Sequence, residues 1–178
     1  EFPRIEGTQL FLGQGTTGAV EETDSIRASV YRRIRDGIPM RVTTRVELNV
    51  AGRAREVELG KLLIDASRPI SMSSPIPTRV QPDGMITAYV RPGSHMVEVE
   101  SVIHAPITSL GVPAVEFDFY DPQEVWVWIP DESVRSVRLD GLTSIDSDRT
   151  SLPPDWRGQT TFLAEPGQAL ELEVTRRG

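Results

Sequence analysis

The chain has 178 residues, a formal net charge of -7 and no cysteine. That length makes one large domain or two small ones and buries a core without staples, while the missing thiols exclude a disulfide framework and any thiolate metal or redox site. The acidic balance argues against a nucleic-acid binder, which needs a basic footprint.

Fourteen glycines and fourteen prolines cut the chain into short runs of alternating apolar and polar residues. Apolar residues almost nowhere recur at helical spacing, so an all-β chain is expected. It begins Glu1-Phe2-Pro3 without a methionine, as expected of a processed product or an excerpt of a longer protein. No apolar run approaches the roughly 18 residues a membrane span needs, and no signal segment opens the sequence, so a soluble chain without direct membrane insertion is expected. Lys61 is the single lysine among the 19 basic residues; the arginines suit planar ion pairs across a sheet, or reflect codon bias.

In chain order, a first strand is expected at 8–12. In "DSIRASVYRRI", Ile26, Ala28, Val30 and Ile34 share one strand face and Arg27, Tyr31 and Arg33 the other, with Arg32 alone breaking the pattern. In "PMRVTTRVELNV", Met40, Val42, Val46, Leu48 and Val50 alternate with Arg41, Thr43, Arg45 and Glu47, the mark of a half-buried strand. Ala51-Gly52 reads as a hairpin loop that sets Val46 opposite Val57 and Arg45 opposite Glu58. Pro82-Asp83-Gly84 reads as a turn into "MITAYVR". A second hairpin at Pro92-Gly93 sets Ala88 against Val97 and Ile86 against Val99. Further strands are expected at 115–119, 124–129, 134–139, 160–164 and 169–174.

About twelve short strands with close turns suggest an antiparallel β-sandwich, jelly-roll-like, or two small sandwiches packed together. On the second reading residues 1–104 and 105–178 form the two portions, with "APITSLGVPA" (105–114) as the seam. The stretch 141–159 reads as a long irregular loop, a common place for binding.

"EVWVWIP" (124–130) puts Trp126 and Trp128 on one strand face. With Pro130-Asp131-Glu132-Ser133 as the loop between 124–129 and 134–139, Trp126 falls opposite Val137 and Trp128 opposite Arg135. The indoles then either join a core with Val137 and Leu139, or form an aromatic platform on which a sugar stacks while Arg135 adds hydrogen bonds. His95, on the core face of the second expected hairpin, reads as a partly buried structural histidine, and His104 as exposed. Asp146 and Asp148, with Asp140 and Asp155 around them, have the alternation of a calcium loop without its Gly-x5-Glu remainder, and also suit an Asx-type turn. Glu116 and Asp118 share an expected strand face with Tyr120. Paired carboxylates serve glycosidases, although those usually come from different strands across a cleft.

The stretches "DGIPMRVTTRVELNVAGRAREVELGKLL" (36–63), "VWVWIPDESVRSVRLDG" and "DSDRTSLPPDW" (within 125–156) resemble the extracytoplasmic β-rich region of large uncharacterised envelope proteins of Gram-negative bacteria. The resemblance implies a periplasmic or cell-envelope setting and a longer parent chain, and it transfers no active-site residues. The function expected from the sequence is a non-catalytic interaction or spacer module whose partner is a protein or the rest of the parent chain. One alternative is a carbohydrate-binding module using Trp126, Trp128 and Arg135; another is a glycoside hydrolase. No cofactor or metal is expected.

Overall fold

A computed structural model describes residues 23–177, so the strand expected at 8–12 lies outside the described residues. The described chain is all-β. In order, its strands are β1 (Ser25–Arg35), β2 (Met40–Ala51), β3 (Arg55–Lys61), β4 (Arg68–Ser73), β5 (Thr78–Val80), β6 (Met85–Val90), β7 (Gly93–Ile103), β8 (Ser109–Gly111), β9 (Glu124–Ile129), β10 (Arg135–Asp140), β11 (Thr143–Ile145), β12 (Thr160–Ala164) and β13 (Ala169–Arg177). Two short 3-10 turns, Ser147–Arg149 and Pro154–Trp156, lie between β11 and β12.

A seven-stranded sheet in the order β11-β12-β9-β1-β2-β7-β4 forms one layer. Two three-stranded sheets, β3-β6-β5 and β10-β13-β8, cover its inner face. Neighbouring strands are antiparallel except β1 and β9, which run parallel. Strands from both sides of the 105–114 segment meet in the large sheet, and β8 within that segment pairs with β13.

Period-two alternation explains which face each residue takes. In β2, Met40, Val42, Thr44, Val46, Leu48 and Val50 are all buried on the inner face, while Arg41, Asn49 and Ala51 are exposed on the other. Each large apolar side chain taken from water there stabilises the fold by about 1.5–3 kcal/mol before entropy is counted. The inner apolar residues gather into two cores. The first joins Ala28, Val30, Val46, Leu48, Val97 and Val99 to Ile86 and Ala88 of the β3-β6-β5 sheet. The second joins Ile34, Val42, Ile103, Trp126 and Phe162 to Leu110, Leu170 and Leu172 of the β10-β13-β8 sheet. Strands β1, β2 and β7 each contribute to both.

Three expected hairpins are corrected. Both edges of β2 are occupied, by β1 and β7, so β3 cannot pair with it. Val57 lies beside Ala88 and Glu58 beside Thr87 instead, and Arg45 faces Glu98. The chain leaves β2 through Gly52, at φ +86 and so close to Asp24 that a Cβ would collide with it, and crosses to the facing sheet. Pro92-Gly93 is likewise a crossing: β6 pairs with β3 and β5, β7 with β2 and β4. Ile86, Ala88, Val97 and Val99 do share one core, but across the sandwich rather than side by side. The third, from β9 to β10, also changes sheets, because β9 lies between β1 and β12.

The turn at 82–84 is where it was expected and joins β5 to β6. The strand expected at 115–119 is not formed. That segment carries the chain from one sheet to the other, and its ladder contact is a single bridge between Tyr120 and Ala28. Val115 and Phe119 pack on the first core all the same.

Candidate functional site

Trp126 and Trp128 face inward. Trp126 lies between Arg32 of β1 and Phe162 of β12, Trp128 between Ile34 and Thr160, and their exposures are 0% and 3%. Neither indole can stack on a sugar arriving from solvent, so the core reading describes the pair and the alternative of an aromatic platform is overturned. Arg135 is not opposite Trp128. It lies on β10, in the small sheet, and is tied to Asp36 through Nε at 3.1 Å and Nη2 at 2.6 Å. Those hydrogen bonds hold its guanidinium above the ordinary arginine value. The three predicted site residues do not form one surface.

Arg32, which breaks the alternation, sits where the two inner cores meet. It is fully buried, with Nε and Nη2 on the two carboxylate oxygens of Glu124 (2.6 and 2.9 Å) and Nη1 on Thr44 Oγ1 (3.0 Å) and the Leu62 carbonyl. Glu124 Oε2 also accepts from Trp126 Nε1 at 2.7 Å. A buried charge survives only when paired and hydrogen-bonded, and this fork is both. The network bolts the large sheet to the chain that leaves β3. The break at Arg32 was its sequence signal, and Glu124 had none beyond its place beside two tryptophans.

The remaining candidates stay dispersed. His95 is partly buried, with Nε2 2.7 Å from the Arg91 carbonyl, and His104 is exposed. Asp146 accepts from the backbone N–H of Asp148 at 3.0 Å, an Asx-type turn that caps the first 3-10 turn. No group of three or more potential metal-ligating side chains occurs among the described residues. Glu116 and Asp118 are exposed in the irregular segment before β9, and the strand face expected to align them is absent. Tyr120 is half-buried. Its hydroxyl donates to the Leu59 carbonyl at 2.7 Å, and burial pushes its pKa up.

The outer face of the large sheet carries a different array. The register places Val127, Arg33, Thr43 and Glu100 in one row across β9, β1, β2 and β7, and Ile129, Arg35, Arg41 and Val102 in the next. A third row runs Val125, Tyr31, Arg45 and Glu98. The 141–159 stretch is no open loop. It forms β11 and then lays Leu152 and Trp156, each 1% exposed, against Tyr31 and Val127 as a third core.

The Arg33 and Arg45 guanidinium carbons lie 4.7 and 4.6 Å from the Trp156 ring centroid, within cation–π range. Arg45 also pairs with Glu98 at 2.9 Å, and Arg41 with Glu100 at 2.9 Å. Beyond the Trp156 plug, Arg33, Arg35, Arg41, Thr43 and Glu100 line a crevice of about 390 Å³. Sequence reading put Arg33 on this face but missed Arg35 and the crevice. The Asp36-Gly37 pair signals a turn between β1 and β2, but a two-residue loop there would set Arg35 opposite Ile38; the chain turns over residues 36–40 and sets Arg35 opposite Arg41.

No family model and no curated protein sequence matches the chain.

Proposed function

We propose that the chain is a non-catalytic β-sandwich module of a larger bacterial envelope protein, a stiff element that holds a partner protein or other parts of its parent chain in position. The observation that carries this reading is the continuity of β1, β2 and β7 beneath both inner cores, with Arg32 bolted between them. Strands shared by two cores cannot bend at the junction without breaking ladder hydrogen bonds and exposing apolar surface, which suits a spacer. The envelope setting rests on the resemblance of residues 36–63 and 125–156 to extracytoplasmic β-rich regions.

Protease added to intact cells, spheroplasts and lysates that express the tagged parent protein tests the reading. The expected result is cleavage of the parent chain in spheroplasts, where the cytoplasmic membrane is still closed, and survival of a fragment spanning residues 23–177. Protection until that membrane is lysed would overturn the envelope assignment. Rapid loss of the fragment would overturn the stiff module, and turnover on a glycoside panel would overturn the absence of catalysis.

A further inference from the structure

The outer-face crevice holds an electrostatic arrangement that the fold alone does not need. Arg35 and Arg41 are direct cross-strand partners, and Arg33 stands two residues before Arg35 on the same face. Like charges directly opposite on a sheet destabilise it. A structural lattice would interleave carboxylates, as the neighbouring row does with Arg45 and Glu98. Here Arg41 has Glu100, whereas Arg33 and Arg35 meet no carboxylate within ion-pair distance among the described residues. Three guanidinium groups against one carboxylate leave the crevice two units positive in a chain of net charge -7.

We propose that this crevice binds a phosphoryl group, a phosphate monoester carried by a small soluble molecule or by a lipid headgroup. Guanidinium forks match phosphate oxygens in pairs, and a monoester near neutral pH carries close to the two negative charges that the crevice lacks. Thr43, in the floor between Arg33 and Glu100, brings a hydroxyl able to donate or accept. Stacking on Trp156 limits the freedom of Arg33, so less entropy is lost when it grips an anion. The volume admits a phosphoryl group with a sugar-sized substituent. The site does not depend on the chain's belonging to an envelope protein.

The test is titration of the whole chain, with arginine Nε–H groups followed by NMR at constant ionic strength. Inorganic phosphate and glucose 6-phosphate are the soluble probes, acetate is the monoanion control, and phosphatidylcholine vesicles doped with phosphatidic acid are assayed by co-sedimentation. Saturable shifts at Arg33 and Arg35 are expected, weakened about tenfold or more in Arg35→Gln and unchanged in Arg138→Gln, which lies on the other layer. Arg41→Gln is the second variant, with the same expectation should Arg35→Gln fold poorly. Response to the soluble ester identifies a small metabolite, and vesicle binding lost in Arg35→Gln identifies a headgroup; either supports the site. No saturable response to any phosphate probe, equal weakening by Arg138→Gln, or acetate binding as tightly as phosphate would overturn it.

Discussion

Arg32 and Arg33 are neighbours in one strand and live in opposite environments. Arg32 faces inward at 0% exposure, with both carboxylate oxygens of Glu124, a threonine hydroxyl and a backbone carbonyl around it. Arg33 faces outward, over Trp156 and along a crevice with two more arginines. One step in a pleated strand turns a structural charge into an available one. The inner arginine is satisfied by the fold itself, whereas the outer group keeps hydrogen-bonding capacity for something that arrives from outside.

The contrast breaks hardest at the inner site. Arg32→Ala leaves Glu124 buried without its cation and is expected to lower unfolding stability by about 4 kcal/mol, read from urea denaturation. Replacing both partners, Arg32→Met with Glu124→Leu, is expected to restore much of that loss. It should remain about 1–2 kcal/mol short, because Trp126 Nε1 and the Leu62 carbonyl lose their partners. A double variant no more stable than Arg32→Ala would mean that the ion pair is not the source of the loss.

On the outer face, Trp156→Ala removes the plug and is expected to cost about 3 kcal/mol, with Trp156→Phe costing about 1. Equal costs for the two would show that the indole's interaction with Arg33 and Arg45 exceeds its packing. Arg35→Gln should move the urea midpoint by no more than about 0.5 kcal/mol in equivalent stability, since its side chain has no ion-pair partner among the described residues.

The smallest effect lies at Asp24, which accepts from the Arg53 backbone N–H at 2.7 Å and from its guanidinium at 3.0 Å. The backbone hydrogen bond, then the guanidinium, hold its pKa below the ordinary 3.8. A carboxylate depressed in the folded state stabilises fully above its unfolded pKa and loses that contribution as pH falls through the folded value. Asp24→Asn should therefore lie slightly below the unmodified chain at neutral pH and converge with it in acid. A gap that widens on acidification would reverse the assignment.

The sequence showed faces better than neighbours. Alternation placed Val46, Val57, Ala88 and Val97 toward one core, and all four pack there. Their expected partners failed because turn chemistry at Ala51-Gly52 and Pro92-Gly93 looks the same whether the chain doubles back within a sheet or crosses to the facing one. Which occurs is decided by whether the strand's edges are already taken, and β7 beside β2, like β1 and β12 beside β9, comes from a distant part of the chain. The Trp pair follows the same rule: its apolar environment was legible, its neighbours Arg32 and Phe162 were not. A turn between β1 and β2 was within reach of local reasoning at Asp36-Gly37, but the longer loop at 36–40 that sets Arg35 against Arg41 was not. Nor was the lid over that face, since Trp156 is 123 positions from Arg33 and comes from a stretch with no strand periodicity.

The parallel pairing of β1 with β9 has a consequence for how the molecule is made. Tyr31–Arg35 are synthesised before the strand that covers their open edge, residues 125–129, which emerges almost a hundred residues later. Until then β1 carries unpaired backbone groups on one side, with Tyr31 and Ile34 uncovered. A nascent chain halted before Glu124 is therefore a sheet with a sticky margin, and closure must wait for a contact of high sequence separation, the kind that slows folding. Chains truncated near residue 105 should self-associate, and the 178-residue chain should need protection longest during that interval.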